Sequence, residues 1–96
     1  MKTIAYFTEA EDEITNALLA SRDSVAFRGA IDDALQNIAN GTITHARIAR
    51  SPCRRCDLTA YPYSIIYAET GDEIQVVAFQ HHKRRANYWK SRLPKN

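Results

Sequence analysis

Glycine, proline and cysteine are all scarce: three, three and two in 96 residues. Three scattered glycines cannot make the glycine-rich loop that cradles a nucleotide's phosphates. Two cysteines are too few for a disulfide scaffold and fit a reducing compartment. Long apolar runs are missing as well, the longest being a handful of residues, against the roughly 20 that span a bilayer. Met1-Lys2 leads into Thr3-Ile4-Ala5-Tyr6-Phe7 and then into acids, whereas a signal peptide needs a longer apolar run. The expectation is a soluble, cytoplasmic chain with no membrane partner. There is no internal repeat and no low-complexity linker.

What is present suits one domain over residues 1–96. The hydrophobic fraction is 45% and the charged fraction 25%, ordinary for a chain that folds around one core and unlike a disordered one. A net charge of +2 hides a division. Residues 1–44 hold Lys2, Arg22 and Arg28 against seven acids, a balance of −4. Residues 45–96 hold ten basic residues against four acids, a balance of +6. Such a split suits a negatively charged partner, or serves only as a solvated face.

Thr3–Phe7 reads as a short strand. Thr8-Glu9-Ala10-Glu11 matches a capping box, and acids at Glu9, Glu11, Asp12 and Glu13 favour the start of a helix. Ala10, Ile14, Ala17 and Leu18 recur at helical spacing, predicting a helix from about Glu9 to Ala20. Asp23 or Ser24 can cap a second helix, with Phe27, Ile31, Leu35 and Ile38 as its apolar stripe and Asn40-Gly41 as its stop. The two form an antiparallel hairpin. Cys53–Leu58 and Tyr63–Ala68 read as strands, with Tyr63, Ile65 and Tyr67 on one face. Thr70-Gly71-Asp72 is a turn signal. Ile74–Gln80 is the best strand, with Ile74, Val76 and Ala78 alternating against Gln75, Val77 and Phe79. Apolar residues on both its faces predict a central position covered on two sides. A short helical turn is expected around Ala86–Lys90. The sum is an α+β domain: a strand, a helix hairpin, then a three-stranded antiparallel sheet, in two layers.

The densest chemistry lies in His81-His82-Lys83-Arg84-Arg85-Ala86-Asn87-Tyr88-Trp89-Lys90-Ser91-Arg92. Arginine and lysine neutralise phosphate, Tyr88 and Trp89 offer stacking faces, and histidine exchanges protons near neutrality. For Trp89 core packing, the commoner fate of a lone tryptophan, is the preferred reading, while Arg84, Arg85 and Arg92 together read as a functional surface. Arg47, Arg50, Arg54 and Arg55 form a second basic group. Arg54 and Arg55 are strand neighbours and point to opposite faces, so at most one joins the tail. Cys53-Arg54-Arg55-Cys56 is a C-x-x-C that His45, His81 or His82 could nominally complete as a zinc site. Cysteines three apart on a strand face opposite ways, so idle or buried thiols are the preferred reading and no metal is expected.

Taken together, the element order, the Tyr61-Pro62-Tyr63-Ser64-Ile65-Ile66-Tyr67 strand, the Gly71-Asp72-Glu73-Ile74 turn and the His81-His82-Lys83-Arg84-Arg85…Tyr88-Trp89…Arg92 ending resemble the RelE/ParE toxin superfamily. The resemblance covers nearly the whole chain and is nearer ParE-like members. Where a proline often follows the Arg-Arg pair in the family, this chain has Ala86-Asn87. The resemblance implies the toxin of a bacterial type II toxin–antitoxin pair, held in a hetero-oligomer by a cognate antitoxin. ParE-like members poison DNA gyrase without catalytic residues. Here Arg55, Arg84, Arg85, Tyr88, Trp89 and Arg92 would bind the target, with no cofactor. RelE-like members cut messenger RNA on the ribosome. In that case His81 or His82 would act as base or acid, assisted by Tyr88, with Arg55, Arg84 and Arg92 on phosphate. That pattern uses lysines or an acid on the middle strands, and Asp57 is the one acid found there. A non-toxic nucleic-acid-binding module is the third reading.

Overall fold

The second helix, α2 (Ser24–Asn40), shows how the local signals act. Asp23 caps it, its carboxylate accepting the Ala26 N–H at 3.0 Å. Gly41 ends it at φ 69, a left-handed conformation that costs glycine little. Phe27, Ile31, Leu35 and Ile38 are all buried. The computed structural model describes residues 1–94; Asn96 and Lys95, the latter counted among the basic residues above, lie outside the described residues.

The first helix, α1 (Thr8–Ala20), starts differently from the expected capping box. Thr8 lies inside the helix, Phe7 is the cap, and no side chain bonds the first turn. The cause is β1 (Thr3–Tyr6), which runs straight into the helix. The Phe7 N–H is still bonded to the Val76 carbonyl at 2.9 Å while its own carbonyl accepts the Glu11 N–H at 3.0 Å. The sheet thus holds the cap residue in place, and a side-chain cap is not needed.

The other strands are β2 (Cys53–Asp57), β3 (Tyr63–Thr70) and β4 (Glu73–His81), followed by a 3₁₀ turn at Tyr88–Arg92. They form a four-stranded sheet in the order β1-β4-β3-β2. The expected antiparallel trio is present, and β1 joins it parallel to β4. β4 is central, as its two apolar faces predicted.

The helix hairpin packs on one face of the sheet. Phe27 stacks on Tyr61 at 4.3 Å between ring centres, and Tyr63 stacks on Phe79 at 4.7 Å. A smaller apolar cluster fills the other face: Cys53, Ile66, Ala68, Val77, Ala78 and Trp89.

One expectation about β4 is corrected. Strict alternation puts Phe79 with Val77 and Ala78 with Val76. Instead, Ile74, Val76 and Phe79 share the helix-side core, and Val77 and Ala78 share the opposite cluster. Ile66 pairs with Ala78 but Tyr67 pairs with Val76, so Val77 is an extra residue in a β-bulge. A bulge shifts the alternation by one residue beyond it.

Candidate functional site

The bulge creates a need that builds the first site. β1 pairs with β4 only as far as Val76, so the next stretch of β4 is left with open backbone groups. Two side chains from distant parts of the chain satisfy them. The Glu13 carboxylate of α1 accepts the Phe79 N–H at 3.1 Å. Arg92 donates to the Val77 carbonyl at 3.0 Å. Arg92 and Glu13 also bond each other through two N–H groups, at 2.8 and 3.1 Å, in the paired geometry favoured by guanidinium and carboxylate. The Tyr88 hydroxyl donates to the same carboxylate. Arg84 lies 3.9 Å from Glu13, and its guanidinium sits 3.9 Å above the Tyr88 ring.

Burial raises the Glu13 pKa, but the hydrogen bonds from Arg92, Tyr88 and Phe79 outweigh it and hold the carboxyl below its usual value. Burial and then the Glu13 hydrogen bond push Tyr88 up to about 12. Tyr88 therefore stays protonated at neutral pH and is committed to Glu13.

A second polar group stands on the sheet face away from the helices. Ser64 is fully buried. Its hydroxyl donates to Asp57 Oδ1 and meets His82 Nε2 at 3.0 Å. Arg55 Nε donates to the same Asp57 oxygen at 2.8 Å. The single hydroxyl proton is given to Asp57, so His82 Nε2–H is the donor to Ser64. The hydroxyl is held between the two side chains, and Ser64 is a structural link between Asp57 and His82. The Ser64 and Arg55 hydrogen bonds keep Asp57 below its ordinary pKa.

The sequence-predicted residues therefore divide. Arg55 and His82 share the outer sheet face. His81 lies edge-on to Tyr63, at 4.9 Å, and its Nδ1 accepts the Lys83 N–H at 3.0 Å. Tyr63 belongs to the helix-side core, so the adjacent histidines serve opposite sides of the sheet. Tyr88 and Arg92 are gathered by Glu13, and Arg84 lies next to them. Arg85 is exposed and, among the described residues, in no ion pair.

Trp89 is 1% exposed, in the outer-face cluster. Core packing, the reading preferred for it, is what is found, and its place among the target-binding residues is corrected. Arg92 is also corrected: with its side chain 14% exposed, it is sequestered by the chain's own carboxylate and offers little to a target.

Glu13, at the centre of this network, is the residue that sequence reasoning missed, being read there only as a helix-start acid. A signal existed. Glu13 lies three residues after Ala10 and four before Ala17, on the buried face of α1. An acid on an apolar stripe implies a buried partner.

Cys53 and Cys56 occupy opposite core clusters, and both are buried and unpaired with each other. Burial pushes both thiols up. Their opposed directions keep them from holding one ion together. Nearby, His45 Nδ1 lies 2.8 Å from the Tyr67 hydroxyl. Arg54 bonds the His45 carbonyl and lies 3.8 Å from Glu69, on the face opposite Arg55.

No protein-family model and no curated protein matches the chain. Solved structures do. One, described as a chromosomal ParDE TA system from P. aeruginosa, superposes with a TM-score of 0.67 at 13% identity, covering 84% of this chain and 96% of that one. A copper-bound mutant toxin from Helicobacter pylori superposes with a TM-score of 0.65 at 14% identity, covering 85% and 96%. At such low identity the likeness is one of fold, and the chain has the RelE/ParE-like toxin fold.

Proposed function

We propose that this protein is the toxin of a type II toxin–antitoxin pair, acting in the cytoplasm on its own cell. It inhibits growth by binding DNA gyrase, not by cutting RNA, and a cognate antitoxin neutralises it. The reading rests on the toxin fold, on the ParE-like ending of the sequence and on one observation that bears on mechanism. Tyr88, the assisting hydroxyl of the RNase reading, and Arg92, one of its phosphate-holding arginines, are both committed to Glu13. The two histidines add to this, because they do not converge on one face. Binding a protein target requires only an exposed surface, for which Arg55, Arg84 and Arg85 remain. No metal or cofactor is called on.

A protein partner is also supported by the turn between the helices. Leu19 and Val25 are 80% and 84% exposed there and line an apolar groove with Leu18. We place the antitoxin on this groove.

A second reading has its own observation. His82 stands beside Arg55 on the outer sheet face, where a proton-exchanging imidazole and a cation could serve RNA cleavage. Expressing the chain without its partner separates the readings. Gyrase poisoning gives trapped double-strand breaks and a DNA-damage response. RNA cleavage gives an immediate halt in translation with cut transcripts, abolished by His82→Ala. Unimpaired growth would refute both and leave a non-toxic binding module.

A further inference from the structure

The end of the β1–β4 pairing leaves room beside the sheet. Beyond Val76 no strand among the described residues lies next to β4 on that side, and α1 passes the opening with small side chains. Ala17 and Ala20 of α1 line a cavity of about 240 Å³ together with Tyr63, Phe79, His81 and Arg84. Its wall is aromatic: Tyr63 and Phe79 are stacked, and His81 stands edge-on to Tyr63. Tyr63 and Phe79 belong to the helix-side core, so the cavity is apart from Arg55 and His82 on the outer face. It shares no lining residue with the groove at the helix turn.

Two of the lining side chains are donors. The Arg84 guanidinium is held 3.9 Å above the Tyr88 ring. Its carboxylate neighbour, Glu13, is 3.9 Å away, beyond hydrogen-bond reach. Glu13 has spent its oxygens on Arg92, Tyr88 and the Phe79 N–H. Arg84 is therefore positioned, half-exposed and left with N–H groups to give. His81 Nδ1 accepts the Lys83 N–H, so the neutral ring carries its proton on Nε2. The strand adds an acceptor. The Phe79 N–H bonds Glu13 on the side away from β3, and the carbonyl of the same residue points the same way.

We propose that this cavity binds a carboxylate carried on an apolar body the size of one residue, as at the end of a polypeptide chain. Arg84 takes the carboxylate through paired N–H groups, His81 adds a donor, and the body rests on Phe79, Tyr63 and the two alanines. The volume sets the size, being below the roughly 300–1,000 Å³ of pockets for larger ligands. The charge sets the head group. Glu13 flanks Arg84, and Glu9 acts on the neighbouring Arg92. A doubly charged phosphate meets the repulsion of both acids, whereas a planar monoanion pairs with a guanidinium at half that cost. The Phe79 carbonyl favours a chain end over a free acid, because it can accept the N–H of the last residue. The inference does not depend on gyrase, since it concerns the purified chain alone.

The test is an NMR titration of the full chain, reading the amide signals of Ala20, Phe79 and Arg84. The probes are N-acetyl-leucine, its carboxamide, 4-methylpentanoate (the same body and carboxylate without the amide) and inorganic phosphate. N-acetyl-leucine is expected to bind at least about 10-fold more tightly than the carboxamide, which gives up the charge-assisted hydrogen bonds. Arg84→Gln should weaken binding of the acid by about 10-fold and leave the carboxamide unchanged. Arg85→Gln removes the same charge outside the cavity lining and should change neither. Ala20→Leu, at an exposed helix position, should fill the cavity and abolish binding with the melting temperature unchanged, which separates lost binding from lost folding. A preference for acid over carboxamide that disappears in Arg84→Gln and Ala20→Leu supports the proposal. Tighter binding of N-acetyl-leucine than of 4-methylpentanoate then identifies a chain end as the source of the carboxylate, and equal binding a free acid. Equal binding of N-acetyl-leucine and its carboxamide would overturn the proposal, as would absence of binding by both acids. So would equal losses in Arg84→Gln and Arg85→Gln, or phosphate moving the same signals as readily as the acids do.

Discussion

Replacing Glu13 with alanine should be among the most damaging single changes on the polar surface of this domain. The carboxylate accepts two bonds from Arg92, one from Tyr88 and one from the Phe79 N–H. Its loss leaves a guanidinium without its counter-charge and a strand N–H without an acceptor. Breaking a buried pair by removing one partner costs about 3–5 kcal/mol. The side chains here are 16% and 14% exposed, so water recovers part of the loss and about 2–3 kcal/mol is expected. For a domain of this size each kcal/mol moves the melting temperature by about 4–8 °C, which predicts a drop of roughly 8–24 °C. Trp89 is the only tryptophan, is buried beside the network, and reports unfolding by fluorescence. The double variant Glu13→Ala with Arg92→Met removes the stranded charge and should recover part of the loss. The pH dependence has a definite sign. The folded-state pKa of Glu13 is depressed, so its contribution is complete above the unfolded value near 4.5 and fades as pH falls through the lower folded value. Glu13→Ala should lack that component of acid destabilisation. A melting temperature within about 3 °C of wild type at pH 7 would refute the account of how the carboxy-terminal turn is anchored.

At high pH, Tyr67 and Tyr88 should ionise late, near pH 12, because burial comes first in raising both, aided by Glu69 at Tyr67 and by Glu13 at Tyr88. Raised folded values contribute stability that is complete below the unfolded value of about 10 and is lost as pH rises through 12. Phenolate absorbance should therefore show part of the tyrosine signal delayed, coinciding with a falling melting temperature between pH 10 and 12. A titration finished by pH 10.5 with the fold intact would contradict it. Cys53 and Cys56, both buried with raised pKa values, should react with a thiol reagent only slowly in the native protein and fully in denaturant. Rapid native labelling of either one would show that its core cluster opens readily.

The helices, the strands and their order were legible because their signals are local. The Phe27, Ile31, Leu35 and Ile38 stripe, the Asp23 cap and the Gly41 stop act within one or two turns of chain. The alternation in β3 is read from neighbours two apart. The opposite facings of Cys53 and Cys56, and of Arg54 and Arg55, follow from the pleat alone. Other features depended on contacts between residues far apart in sequence, and only the tertiary structure decided them. The capping box at Thr8 failed because β4 already held Phe7. The side-chain assignment beyond Val77 failed because a bulge depends on the partner strand as much as on the bulged one. The role of Arg92 was decided by Glu13, 79 positions earlier, since a cation is free or spent according to which carboxylate the fold brings to it. The amino-acid order by itself placed the charges in two halves of the chain. What the fold added is the placement of the acidic helices on one face of the sheet and of the Trp89 turn on the other, with Arg84 and Arg92 drawn to Glu13 between them.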